Sequence, residues 1–148
     1  MMNDVLLSNL SKIHHPKGDV LHAIKKSDKG FKNFGEAYFS KIEYGEIKGW
    51  KQHKLMTLNL IVTCGNIKVV LMDCRVSGID NPEQESFIIG ESNYKRLTIP
   101  PKIHVAFQGL SKEMNLLMNV ADIEHDPEES INLPLDSFYY DWKIDNGK

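Results

Sequence analysis

The feature that most constrains this chain is its punctuation. Short runs rich in Val, Ile, Leu, Phe and Tyr recur along nearly the whole sequence, each closed off by Gly, Asn, Asp or Pro, and such runs read as β-strands. The candidate strands are residues 20–25, 37–43, 46–53, 58–63, 67–73, 85–89, 95–99, 104–108 and 115–120. Gly65-Asn66 separates two of them and reads as a hairpin turn. Helix signals are weak: residues 4–13 are a candidate short helix, and 128–130 are too few for one. Many short strands with regular turn signals predict an all-β sandwich or barrel. At 148 residues, with no internal repeat and no low-complexity linker, one domain with one closed core is expected. An N-terminal arm of about residues 1–17 and a tail of about 126–148 flank it. The tail carries Phe138, Tyr139, Tyr140 and Trp142, rings expected to pack on the barrel or on a second subunit.

A formal charge of −2 gives no reason to expect nucleic acid or an anionic membrane as a partner, although basic residues concentrate over 48–54. No run approaches the roughly 20 apolar residues of a membrane span. The first ten residues contain Asp4 and no basic cluster, so no signal peptide is expected. Cys64 and Cys74 fit neither a disulfide framework nor a zinc site. A reduced, cytoplasmic setting follows as the expectation.

Gly45, Lys51, His53, Leu58 and Gly65 stand in a meaningful spacing. Residues at i and i+2 leave a strand on the same side, so Lys51 and His53 share a face with Gly49, and Leu58 arrives from the next strand. This spacing resembles the first motif of the cupins, whose metal ligands are His-x-His and a later Glu. Here Lys51 and Leu58 replace two of them, and neither binds a metal as those ligands do. The second cupin motif resembles the stretch Pro100 to Val105, but Val105 replaces the ligand and His104 is one residue out of phase. The fold expected is therefore a cupin-type jelly-roll β-barrel without a metal.

Four further stretches carry a more specific likeness. They are Asp28-Lys29-Gly30-Phe31, Lys48-Gly49-Trp50-Lys51, the run from Gly65 through Asp73-Cys74-Arg75, and Ile99-Pro100-Pro101 followed by Phe107. In order and spacing, over residues 28–142, they resemble the dTDP-4-dehydrorhamnose 3,5-epimerases and the dTDP-sugar 3,4-ketoisomerases. The resemblance implies an isomerase or epimerase acting on a dTDP- or UDP-linked 4-keto-6-deoxy sugar in surface-polysaccharide biosynthesis. It would remove a proton alpha to the ketone, without a cofactor, as a homodimer. The departures are specific. Lys51 stands at the epimerase base, and the ketoisomerase His-x-His-Lys reads Lys51-Gln52-His53-Lys54. The epimerase tyrosine acid falls near Met118, and the segment carrying the aspartate that orients the histidine is expected to lie past Lys148. Tyr44 and Tyr94 are alternative acids, with nothing to single out either.

Lys51 and His53 are the candidate catalytic residues. Lys51 would be a base if burial and neighbouring charge from Lys48 and Lys54 lowered its pKa; the bland alternative is a solvated basic strand with His53 as a packed polar residue. Lys29 and Lys48 match positions where the family grips a diphosphate, or are ordinary surface lysines. Thr57 and Asn59 either hydrogen-bond a sugar or satisfy a strand edge. His104 reads first as a structural or surface histidine and second as a substrate contact. His14, His15, His22 and His125 show no partner pattern. The rival to the enzyme is a sugar- or sugar-nucleotide-binding cupin whose catalytic groups have decayed.

Overall fold

Residues alternating between apolar and polar can line a core only if the chain runs as strands, and the computed structural model, which describes residues 2–145, has twelve of them. They are β1 (Leu6–Asn9), β2 (Lys12–Ile13), β3 (Val20–Leu21), β4 (Glu36–Lys41), β5 (Ile47–His53) and β6 (Leu58–Cys64), then β7 (Asn66–Asp73), β8 (Glu83–Gly90), β9 (Lys95–Ile99), β10 (His104–Gly109), β11 (Leu116–Ala121) and β12 (Ser130–Asn132). Two five-stranded antiparallel sheets, ordered β1-β9-β6-β11-β4 and β12-β5-β10-β7-β8, face each other across the core as a jelly roll. Leu58, Leu60 and Val62 of β6 meet Ile67, Val69 and Leu71 of β7 there, with Leu97, Ile99, Val105 and Leu117. Among the described residues no helix is long and apolar enough to cross a membrane.

The candidate helix at 4–13 is instead the edge strand β1 and the short β2. Val5 and Leu7 pack on the core, a period of two that a helix cannot provide, and pairing with β9 satisfies the backbone. Gly65-Asn66 is not a hairpin either. β6 pairs with β9 and β11, whereas β7 pairs with β8 and β10, so the turn carries the chain from one sheet to the other. Gly65 has φ +75°, and a Cβ there would lie 2.0 Å from the carbonyl oxygen of Met114.

Each sheet is also covered outside. Tyr94, Ile61 and Val120 pack beneath Leu10, Ala23 and Ile24 of the N-terminal segment. Over the second sheet, the tail lays Phe138 and Trp142 on Trp50, with ring centroids 5.2 and 6.0 Å away. The barrel is thus one surface on which the tail's rings rest. Tyr139 stays exposed, and residues 146–148, the last of the expected tail, lie outside the described residues, as does Met1 of the expected arm.

Candidate active site

β5 is the wall from which the site is built. Its pairing with β10 shifts register between Val105 and Phe107, so Lys51 opposes Val105 while Lys48 opposes Phe107. This bulge changes the parity of the strand. Lys48 therefore joins Lys51 and His53 on the inner side, and Trp50 is sent outward to the aromatic tail. Gly49 sits at the bulge because a Cβ there would come within 2.4 Å of the Ala106 side chain.

A cavity of about 330 Å³ opens between β5 and β4. Its floor is apolar, with Leu58, Leu60, Val105 and Leu117. Its polar groups are Tyr38 and Ser40 from β4, Lys48, Lys51 and His53 from β5, Asn119 from β11 and Asn132 from β12. Lys48 reaches across the mouth, its Nζ donating to the Lys41 carbonyl at 2.6 Å and to Ser40 Oγ at 3.1 Å. An ammonium has three donors, so one remains for a ligand. The Lys51 backbone is paired with β10 and β12, while its ammonium makes no hydrogen bond or ion pair to another described residue.

His53 is 7% exposed and its Nδ1 is bound to Oε1 of Glu129, itself 6% exposed. The other carboxylate oxygen of Glu129 accepts the backbone N–H groups of Lys54, Leu55 and Met56 at 3.1, 3.1 and 3.2 Å. Burial pushes the Glu129 carboxyl up. The bond to His53 and those from the Leu55 and Met56 amides outweigh it, so the group stays below the ordinary carboxylate range. A carboxylate on Nδ1 places the imidazole proton there, which leaves Nε2 as a free base.

The structure does not bring the other expected residues together. Asn59 alternates with the floor residues Leu58 and Leu60 and so faces away, where its side chain donates to the Gly30 carbonyl and accepts from Thr98 Oγ1. Thr57 is buried with its N–H on Asp122, outside the cavity wall. His104 alternates with Val105 and lies on the outer face, against Phe138 at 5.1 Å and Gln52 at 3.1 Å. Lys29 is exposed and does not line the cavity; its carbonyl accepts from the buried Arg96, which also pairs with Asp28. Neither alternative acid, Tyr44 or Tyr94, lines the cavity. Tyr94 donates to the His22 carbonyl on the outer face, and Tyr44 lies beneath Lys112. Met118 also faces outward.

Tyr38, Asn119, Asn132 and Glu129 were not identified from the sequence. For Glu129 a weak signal exists, since Asp126 caps the 3₁₀ turn Pro127–Glu129 and so fixes where that carboxylate begins. Tyr38 offered none, because nothing local distinguishes an inward Tyr38 from an outward Phe39.

No protein-family model matches the chain. A dTDP-sugar isomerase from Desulfovibrio desulfuricans is 33% identical, with a TM-score of 0.88 over 95% of this chain and 91% of that one. A dTDP-4-dehydrorhamnose 3,5-epimerase from Elizabethkingia anophelis shares the fold at 17% identity and a TM-score of 0.78, over 97% of this chain and 84% of that one. A probable low-salt glycan biosynthesis epimerase from Haloferax volcanii is 28% identical over 114 residues, which are 74% of this chain and 73% of that protein. With a barrel that superposes along nearly its whole length on a relative a third identical, the chain belongs to the dTDP-sugar isomerase family.

Proposed function

We propose that the protein isomerises or epimerises a dTDP- or UDP-linked 4-keto-6-deoxy sugar for surface-polysaccharide biosynthesis, by removing a proton alpha to the ketone. The observation that carries this reading is the buried His53–Glu129 pair at the wall of a cavity of sugar size. His53 is the base, through Nε2, and Glu129 orients it and stabilises the imidazolium formed when it takes the proton. Lys51, two residues earlier on the same wall, steadies the negative charge that develops on the ketone oxygen as the proton leaves carbon. This role differs from the base expected of it, since the partnered base on that wall is His53. Lys48 meets the diphosphate at the mouth with its remaining donor. Tyr38 protonates the ketone oxygen. The ketone itself delocalises the charge, so no cofactor takes part.

The protein works in the cytoplasm as a homodimer. Two free thiols suit a reducing compartment, and Phe34 and Phe39, 63% and 65% exposed, lie beside and on the free edge strand β4, an apolar surface suited to a second copy.

Deuterium uptake from solvent by dTDP- and UDP-4-keto-6-deoxy sugars, read by mass spectrometry, tests the reaction. Exchange by wild-type protein and none by His53→Asn is the expected result. Tight binding of such a sugar without exchange would replace the enzyme with a sugar-nucleotide-binding module.

A further inference from the structure

Asn119 is fully buried, at 0% exposure, yet its side chain borders the cavity. It sits directly opposite Tyr38 in the β11–β4 ladder, so both side chains project to the same side of the sheet. The orientation of its amide is fixed by chemistry. The backbone N–H of Asn59 can only donate, and it donates to the Asn119 oxygen at 3.0 Å. The NH₂ group therefore faces the other way, and donates to the hydroxyl oxygen of Tyr38 at 3.2 Å. A phenol oxygen that accepts this bond keeps its own proton for another acceptor. With Asn119 on one side of Tyr38 and the cavity on the other, a ligand in the cavity can be that acceptor.

Building on the isomerase reading above, we propose that Asn119 is a positioning residue that aims the Tyr38 proton into the cavity. As His53 takes the proton from the carbon beside the ketone, the C–H electron pair becomes a C=C bond. The carbonyl oxygen takes the Tyr38 proton, which leaves an enol and a phenolate. The Asn119 N–H, already in place, holds the phenolate without reorganisation. Return of a hydroxyl proton to Tyr38, and delivery of the His53 proton to carbon, restore both groups. The chain Asn59 N–H to Asn119 to Tyr38 to ligand runs in one direction only, because its first member is a backbone donor.

The test compares Tyr38→Phe, Asn119→Asp, Asn119→Leu and the double variant Tyr38→Phe/Asn119→Asp, in deuterium uptake by dTDP-4-keto-6-deoxyglucose. Asn119→Asp keeps the acceptor for Asn59 but turns the Tyr38 hydrogen bond around, so that the phenol donates to the new carboxylate. It should lower kcat about 100-fold, as far as Tyr38→Phe does, with KM within about threefold of wild type. The double variant should be no slower than either single one by more than about threefold, since both remove the same proton. Asn119→Leu carries no charge to bury and serves if Asn119→Asp fails to fold; it removes the donor but not the proton, and should cost about tenfold in kcat. Wild-type kcat in either folded Asn119 variant, or additive losses in the double variant, would overturn the inference and leave the isomerase reading standing. A wild-type rate for Tyr38→Phe would overturn it as well. No exchange by the wild-type protein itself would sink the isomerase reading and the inference with it.

Discussion

The imidazole of His53, at the end of β5, is held through Nδ1 by the carboxylate of Glu129, 76 residues further along the chain. The carboxylate is itself fixed by three successive amides, those of Lys54, Leu55 and Met56, in the loop that leaves His53. One side chain thereby closes the loop, joins β12 to β5 and sets the tautomer of the base. Changing it separates these roles. Glu129→Gln keeps an oxygen for the amides or for the ring but loses the charge, and should reduce kcat by at least about tenfold with little change in dTDP affinity. Glu129→Ala leaves buried donors unpaired and should also cost about 1–3 kcal/mol of stability, read by urea denaturation.

Lys51 and Lys48 share the inner wall but differ in what they touch. Lys51→Met should lower the exchange rate about 100-fold and leave dTDP binding nearly unchanged. Lys48→Met should weaken dTDP binding by about tenfold, a loss that shrinks as ionic strength rises, because it removes a cation at the open mouth. Calorimetric titration with dTDP, beside the deuterium assay, checks both.

The aromatic tail does structural work that reaches the site. Trp50 exchanges both backbone hydrogen bonds with Leu133, at 3.2 and 3.0 Å, and its indole N–H donates to the Leu135 carbonyl at 3.0 Å. Its ring supports Phe138, just beyond the segment that brings Glu129 to His53 and Asn132 to the cavity. Phe138→Ala should cost about 3–5 kcal/mol if the site cannot collapse onto the space left. Activity should fall further than in an equally destabilised core variant such as Leu97→Ala, assayed at a temperature where both remain folded.

His104 gives the fold a pH dependence. It is buried between Gln52 and Phe138, its Nδ1 has no partner among the described residues, and burial holds its pKa below the ordinary imidazole value. Between that lowered value and the unfolded value of about 6.5, the unfolded chain binds more protons than the native one. Stability from His104 is thus complete above about pH 6.5 and is lost as pH falls through the lowered folded value. Glu129 and Asp73, the latter held down by its hydrogen bonds from Arg75, add losses of the same sign in the carboxylate range. Thermal melts should hold nearly level from pH 7.5 to about 6.5 and then fall toward pH 5 for wild type, and more gently for His104→Gln.

The barrel was legible in the sequence because strand pattern is local. Apolar runs bounded by Gly, Asn and Pro located eight strands, β4 to β11, and only Val20–Leu21 of the candidate at 20–25. The Gly45, Lys51, His53, Leu58 and Gly65 spacing placed two of the site's cations or bases on one wall. Parity also identified His104 as out of phase with Val105, as found. Parity alone does not put Lys48 on that wall, since a bulge at Gly49 inverts parity and depends on the close approach of Ala106 from another strand. The local pattern left Asn59 open between a sugar ligand and a strand-edge residue because its amide partners, Gly30 and Thr98, come from distant parts of the chain. It also left His53 without an anion and the cavity without a tyrosine. Glu129 and Tyr38 are ordinary residues in their own neighbourhoods, and only the pairing of β12 with β5 and of β4 with β11 gives them work. What a strand buries is written in its own alternation. Which groups confront one another across a barrel depends on sheet order and register, and these arise only when the whole core closes.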